Sequence, residues 1–321
     1  NDSMQFSDNT SILCGSVNDY LWNFDDGTTS TLQNPKHHFN SPGSYDVTLR
    51  IGLGGGFKDS ITKVVVISAD PTASFFANNA CLGGSSVFNN SSTNAVSTSW
   101  TFGDGGTSSA TNPTHTYATS GSFNVELTST SVNGCTASVT KTVMAYDKPV
   151  AGFTASDVCL GNAVSFSNSS TGAGSYTWDF GNGLSSVSSN PSHTYTSANT
   201  YTVLLYAESA NGCKDTSTSS VTVNGLPTAD FSAPNMCIGS ATVFTNSSTG
   251  ATSSSWTFGD GNTSISTSPS HTYASSGTYT VTLTSTNSNT CTETVSKTVE
   301  VYSNPTAAFA ASNACVGSSI A

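Results

Sequence analysis

Gly277-Thr278-Tyr279-Thr280-Val281-Thr282-Leu283 places a large apolar side chain at every second position and threonine between. A β-strand sends successive side chains to opposite faces, so this stretch reads as a half-buried antiparallel strand with Tyr279, Val281 and Leu283 inward. The same alternation returns at Tyr201, Val203 and Leu205, at Phe123, Val125 and Leu127, and at Tyr45, Val47 and Leu49. Each return lies 78 residues from the next.

The period holds across the chain. It relates Trp22, Trp100, Trp178 and Trp256, then Pro35, Pro113, Pro191 and Pro269, then His37, His115, His193 and His271. Phe39, Tyr117, Tyr195 and Tyr273 follow the same step. A final strand closes each copy, as at Val295 to Val301, after a turn cluster such as Asn133-Gly134. No stretch carries a sustained helical period. Several short strands punctuated by Gly, Asn and Pro predict an all-β tandem array of small β-sandwiches. The boundaries expected are 1–68 for a copy without its first strand, 69–146, 147–224 and 225–302 for full copies, and 303–321 for the first strand of a further or neighbouring copy.

Three linked motifs carry a resemblance. Trp-Thr-Phe-Gly-Asp-Gly stands at 100–105 and 256–261, Asn-Pro-Thr-His-Thr-Tyr at 112–117, and Gly-Thr-Tyr-Thr-Val-Thr-Leu at 277–283. Together they resemble the PKD domain signature over essentially the whole chain. The resemblance implies an Ig-like sandwich used outside the cell as a spacer or adhesion module. The cysteine-containing form is similar to repeats in large surface proteins of Bacteroidota. The third copy departs at Gly181-Asn182-Gly183, and the first at Asp25-Asp26-Gly27.

Composition narrows the function. Only 8% of the 321 residues are charged, yet 10% are aromatic and recur at fixed places, which favours many small cores over a solvated coil. The formal net charge of −11 would repel a polyphosphate, so no nucleic-acid partner is expected. No apolar run approaches the ~20 residues that span a bilayer, so no membrane span is expected in this chain. The absence of a starting Met is read as processing or truncation of a secreted, extracellular or cell-surface protein.

The cysteines follow the repeat in two series: Cys81, Cys159, Cys237 and Cys315, then Cys135, Cys213 and Cys291. The two members within a full copy are 54 residues apart, so the expected disulfides are Cys81–Cys135, Cys159–Cys213 and Cys237–Cys291. Loops of that size would stabilise by roughly 4 kcal/mol in the chain-entropy model and imply an oxidising compartment. Cys14, in an insertion of the first copy, and Cys315 are left over and are candidates for an intermolecular bond.

The two ends of the chain fit one another. Full copies open with Pro71-Thr72-Ala73, Pro149-Val150-Ala151 and Pro227-Thr228-Ala229. The first copy lacks this opening, while Pro305, Ala307 and Phe309 supply one with no strand after it. Truncation of a longer array explains this, and so does exchange, in which the tail of one molecule completes the first copy of the next. Exchange of that kind does not close and would give self-associated fibres. Short, Pro-containing joints predict a stiff array.

The remaining motifs have structural explanations. Asp104 and Asp260 in the Gly-Asp-Gly turns offer few oxygens for calcium, so the expected role is turn formation, with calcium as the alternative and no other cofactor or metal. His115, His193 and His271 are expected to bond a neighbouring backbone group. Trp22, Trp100, Trp178 and Trp256 precede a second aromatic residue on the same strand face and are assigned to the core, not to a sugar-stacking strip. No catalytic residue is assigned: GxSxG, HExxH and phosphate-binding glycine loops are all missing, and every notable residue appears in nearly every copy. The expected function is a non-enzymatic extracellular fibre, filament or stalk. The alternative is an adhesin or accessory region that grips an extracellular glycan or protein.

Overall fold

The computed structural model describes residues 3–13, 15–311 and 316. The chain divides into two compact units, Asn1–Lys148 and Pro149–Ala321, each holding two sandwiches. Every regular element among the described residues is a β-strand.

The fourth sandwich shows how the sequence builds the unit. Gly277–Thr286 pairs antiparallel with Thr292–Tyr302 on one side and with Ser253–Thr257 on the other. Trp256 lies opposite Leu283, which lies opposite Val295, so the inward positions of three strands meet in one layer. Thr263–Ser264 and the parallel strand Met236–Cys237 complete a five-stranded sheet. Two short pairs cover it: Phe231–Ser232 with Thr245–Asn246, and Ala241–Val243 with Ser270–Thr272. Between the layers lie Phe231, Phe244, Trp256, Phe258, Tyr273, Val281 and Leu283. The indole N–H of Trp256 donates to the Ser266 carbonyl, as Trp100 does to Ala110 and Trp178 to Ser188, each at 2.9 Å. A buried aromatic residue thereby keeps its polar atom satisfied.

The second and third sandwiches repeat this plan. In the second, the opening strand Phe75–Ala77 pairs with Ser86–Asn90, and Phe75 sits edge-on to Trp100 at 5.1 Å. The chain then crosses to the other sheet, where Ala80–Cys81 runs parallel to the end of Thr136–Tyr146. In the third sandwich Val158–Cys159 pairs in the same way with the end of Lys214–Asn224.

The first sandwich is incomplete among the described residues. Its main sheet has four strands in the order Thr29–Ser30, Val17–Asn23, Gly43–Leu53 and Lys58–Ile67, and its second layer is the pair Met4–Gln5 with Lys36–His37. No described strand occupies the place of Phe75–Ala77. A groove of about 580 Å³ lies there, lined by Phe6, Trp22, Val47, Leu49, Lys63 and Val65 among others. Trp22 keeps 7% of its surface exposed, against 0% for the other three tryptophans.

Candidate functional site

The cysteines are the feature that sequence pairing misjudged. Cys159 is bonded to Cys291, 132 residues away, with the Cα atoms 5.5 Å apart. The expected bonds Cys159–Cys213 and Cys237–Cys291 are therefore not formed. Cys135 and Cys237 are free and exposed, which also removes the expected Cys81–Cys135 bond. Cys81 and Cys213 are both disulfide-bonded. Cys14 and Cys315 lie outside the described residues.

Strand length gives the physical reason. Cys159 sits opposite Asn224, the last residue of the eleven-residue strand Lys214–Asn224. Cys213 directly precedes the first residue of that strand. At ~3.3 Å per residue the two cysteines of one sandwich are held about 35 Å apart, whereas a disulfide needs Cα atoms within ~7 Å.

The turn of the following sandwich brings the correct partner. In the turn before Thr292–Tyr302, Asn287 N–H donates to the Cys291 carbonyl at 3.0 Å, and the Asn287 side-chain oxygen accepts from Cys291 N–H at 3.0 Å. The same side chain donates to the Gly225 carbonyl at 2.8 Å, and Asn289 donates to the Asn224 side chain at 2.9 Å. The turn of the fourth sandwich is thus pinned to the end of the third sandwich's last strand, beside Cys159. Cys291 is fully buried there. The second sandwich presents the same kind of turn: Ser131 N–H donates to the Cys135 carbonyl at 2.8 Å, and Asn133 donates to Ser68 at 2.8 Å beyond the last strand of the first sandwich. No described cysteine of the first sandwich stands where Cys159 stands.

The recurring histidine stacks on an aromatic ring and bonds the turn. His115 lies flat on Phe102 at 4.2 Å and its Nε2 meets Asp104 at 2.7 Å, while His271 lies on Phe258 and meets Asp260 at 2.7 Å. The partner is a carboxylate and not the backbone group expected from sequence. His37 and Asp26 repeat the pair at 2.7 Å, and His193 meets the Asn182 amide nitrogen at 2.9 Å. Desolvation pushes Asp104 upward, but the hydrogen bonds from His115 and Gly106 N–H outweigh it and hold the carboxyl below its ordinary range. Asp260 is lowered in the same balance, with His271 and Asn262 as donors. His193 has no carboxylate at its Nε2 and is lowered by burial. Both oxygens of Asp104 are already engaged, one with Gly106 N–H and one with His115. Among the described residues no group of three or more His, Cys, Asp or Glu is placed to hold a metal ion.

All four tryptophans lie in the cores, and Tyr117, Tyr195 and Tyr273 are pushed up to about 12 by burial. Each of these tyrosines donates its hydroxyl to the carbonyl of the phenylalanine fifteen residues earlier, at 2.9–3.1 Å. Pro305, Ala307 and Phe309 are exposed, Phe309 by 94%. Sequence reasoning missed the opening-strand phenylalanines Phe75 and Phe231, with Lys141 and Lys297 donating to their carbonyls. The signal was present: Lys141 and Lys297 are two periods apart, and the Pro-x-Ala openings carry Phe two residues on.

A family model described as PKD domain matches residues 1–69, 68–145, 146–223 and 224–302. Collagenase ColA of Bacillus cereus is 41% identical over 75 residues, covering 23% of this chain and 8% of that protein. Microbial collagenase of Vibrio alginolyticus is 39% identical over 69 residues, covering 21% of this chain and 8% of that protein. The chain therefore matches only a small part of either collagenase. Among solved structures, the PKD1 domain of Vibrio anguillarum Epp is 39% identical, covers 24% of this chain and 95% of that one, and superposes with a TM-score of 0.23. Four consecutive matches account for nearly every residue up to 302, and the chain belongs to the PKD domain family.

Proposed function

We propose that this chain is a non-catalytic structural segment of an extracellular or surface-exposed protein, a stalk or fibre element whose consecutive sandwiches are bonded to one another. The observation that carries this is the Cys159–Cys291 bond, which joins two sandwiches where sequence spacing predicted closure within one. A bond inside a sandwich would stabilise that sandwich alone. A bond between sandwiches fixes the joint, which is a mechanical role, and it requires the oxidising surroundings found outside the cytosol. Small-angle scattering of the oxidised and reduced chain tests it. The expected outcome is a fixed maximum dimension when oxidised and a broader distance distribution after reduction, with each sandwich still folded. An identical profile in both states would remove the mechanical role.

A second role, as the accessory region of a secreted hydrolase that grips its polymer, is favoured by the two collagenase matches. Retention of the intact chain on collagen fibrils or on an immobilised polysaccharide would support it.

A further inference from the structure

The groove of the first sandwich lies where the other sandwiches hold their opening strands. In the second sandwich Phe75 fills the corresponding place, with no surface exposed. Its strand, Phe75–Ala77, pairs with Phe88 to Asn90, and Lys141 Nζ donates to the Phe75 carbonyl while lying 5.2 Å from the Phe75 ring. Phe231 and Lys297 repeat the arrangement in the fourth sandwich.

The first sandwich has every receiving group. Phe6 stands for Phe88, since each donates its N–H to the carbonyl of the recurring proline, Pro35 or Pro113, at 2.9 and 3.0 Å. Asp8 stands for Asn90, since each donates its N–H to the side-chain oxygen of the equivalent Asn34 or Asn112 at 2.8 Å. Trp22 stands for Trp100 and Lys63 for Lys141, one period earlier in each case. What no described residue supplies is the phenylalanine.

The matching segment is exposed in the same chain. Pro305-Thr306-Ala307-Ala308-Phe309 repeats Pro71-Thr72-Ala73-Ser74-Phe75 and Pro227-Thr228-Ala229-Asp230-Phe231. Phe75 and Phe231 are buried, whereas Phe309 is 94% exposed.

We propose that the groove of the first sandwich takes residues 305–309 of a second copy of this chain as its missing strand. This deepens the proposed structural role and rests on it. Phe309 enters beside Trp22, its carbonyl accepts from Lys63, and Phe309 to Ala311 pair with Phe6 to Asp8 in the register of Phe75 to Ala77 with Phe88 to Asn90. The groove and the strand are different parts of the chain, so the contact is heterologous.

The disulfide register adds a second, independent mark. Cys315 follows Pro305 by ten residues, as Cys159 follows Pro149. Cys159 bonds Cys291 in the turn of the next sandwich, and the sandwich after the groove carries Cys135, free and exposed, at that turn position. By sequence register Cys315 of one copy therefore pairs with Cys135 of the next, not with Cys14. Each thiol loses one proton and one electron as the S–S bond forms. A low-molecular-weight disulfide such as oxidised glutathione accepts both protons and both electrons and leaves as two thiols.

The test compares the full chain with Phe309→Asp and Cys135→Ser by sedimentation velocity over a range of concentrations, then by non-reducing gel after oxidised glutathione. Phe309 is exposed, so its substitution leaves the sandwiches folded. The expected result is concentration-dependent oligomers whose association weakens at least tenfold in Phe309→Asp. Glutathione should trap a ladder that Cys135→Ser abolishes, with tryptic peptides 298–321 and 64–141 joined. Oligomers unchanged by Phe309→Asp, or a chain that stays monomeric at every concentration, would overturn the proposal. So would the same peptide linkage found within a monomer, or a groove filled by residues preceding Asn1 in a longer protein. In the monomeric outcomes the scattering difference between oxidised and reduced chain would still stand, so the structural role and the strand contact fail separately.

Discussion

Gly259 opens the Gly-Asp-Gly turn at φ +83°, and a Cβ there would lie 2.6 Å from the Thr280 carbonyl oxygen and 3.0 Å from its nitrogen. Backbone cannot yield as a flexible side chain can, so Gly259→Ala should cost about 2 kcal/mol or more and selectively loosen the fourth sandwich, read by hydrogen exchange in Ser253–Thr257. The first sandwich places Asp25 at the same position, also in the left-handed region at φ 65°. Asp is one of the few residues that visit this region, and here its carboxylate is held by Asp46 N–H on the strand Gly43–Leu53, which donates to it at 2.9 Å. The third turn differs in its other member, Asn182. His193 is lowered by burial, so its folded pKa lies below its unfolded value of about 6.5. The stabilisation is present above that pH and is lost as pH falls through it. Asn182→Asp supplies the carboxylate found at Asp104 and Asp260. It should add on the order of 0.5 kcal/mol near neutrality and remove the loss that sets in as pH falls below about 6.5, measured by exchange in Ser175–Asp179 on either side of that pH.

At the scale of strands, the length of Lys214–Asn224 decides which sulfurs can meet. Trypsin digestion without reductant checks the result. Cleavage after Lys141, Lys214 and Lys297 (Lys148 precedes Pro149 and is not cut) should leave peptides 142–214 and 215–297 joined by the Cys159–Cys291 bond, where pairing within sandwiches would release them separately. The strands themselves were legible in the sequence, because a Tyr-x-Val-x-Leu alternation admits one face inward and the 78-residue step of tryptophan and proline fixes the unit. The partner of each cysteine was not legible from spacing. Equal separations within a repeat say nothing about which end of a strand each residue occupies. The order along the chain held part of the answer, since Cys213 precedes the last strand and Cys159 pairs beside its end. The opposing turn of the next sandwich, with Asn287 and Asn289 reaching across, becomes visible only when the strands are laid in space. His115 was misassigned for a similar reason: its carboxylate partner lies eleven residues away across a turn.

At the scale of the molecule, identical sequence positions take different chemical states. Cys291 and Cys135 occupy equivalent turns, yet one is bonded and buried while the other is free and exposed. A thiol-reactive probe applied to the native protein should therefore modify Cys135 and Cys237 and leave Cys159 and Cys291 untouched until reductant is added, as peptide mass spectrometry would show. Repetition in sequence becomes repetition in function only where the neighbouring copy supplies its half. The Cys159–Cys291 bond also governs how the chain bears tension. Its sulfurs bridge a separation of 132 residues, so load entering before Cys159 passes through them and leaves after Cys291. At ~3.5 Å per residue, about 450 Å of slack stays locked inside that loop whether or not the sandwiches it encloses remain folded. Pulled from its ends, the oxidised chain should yield without releasing that length, and a reductant should let it out.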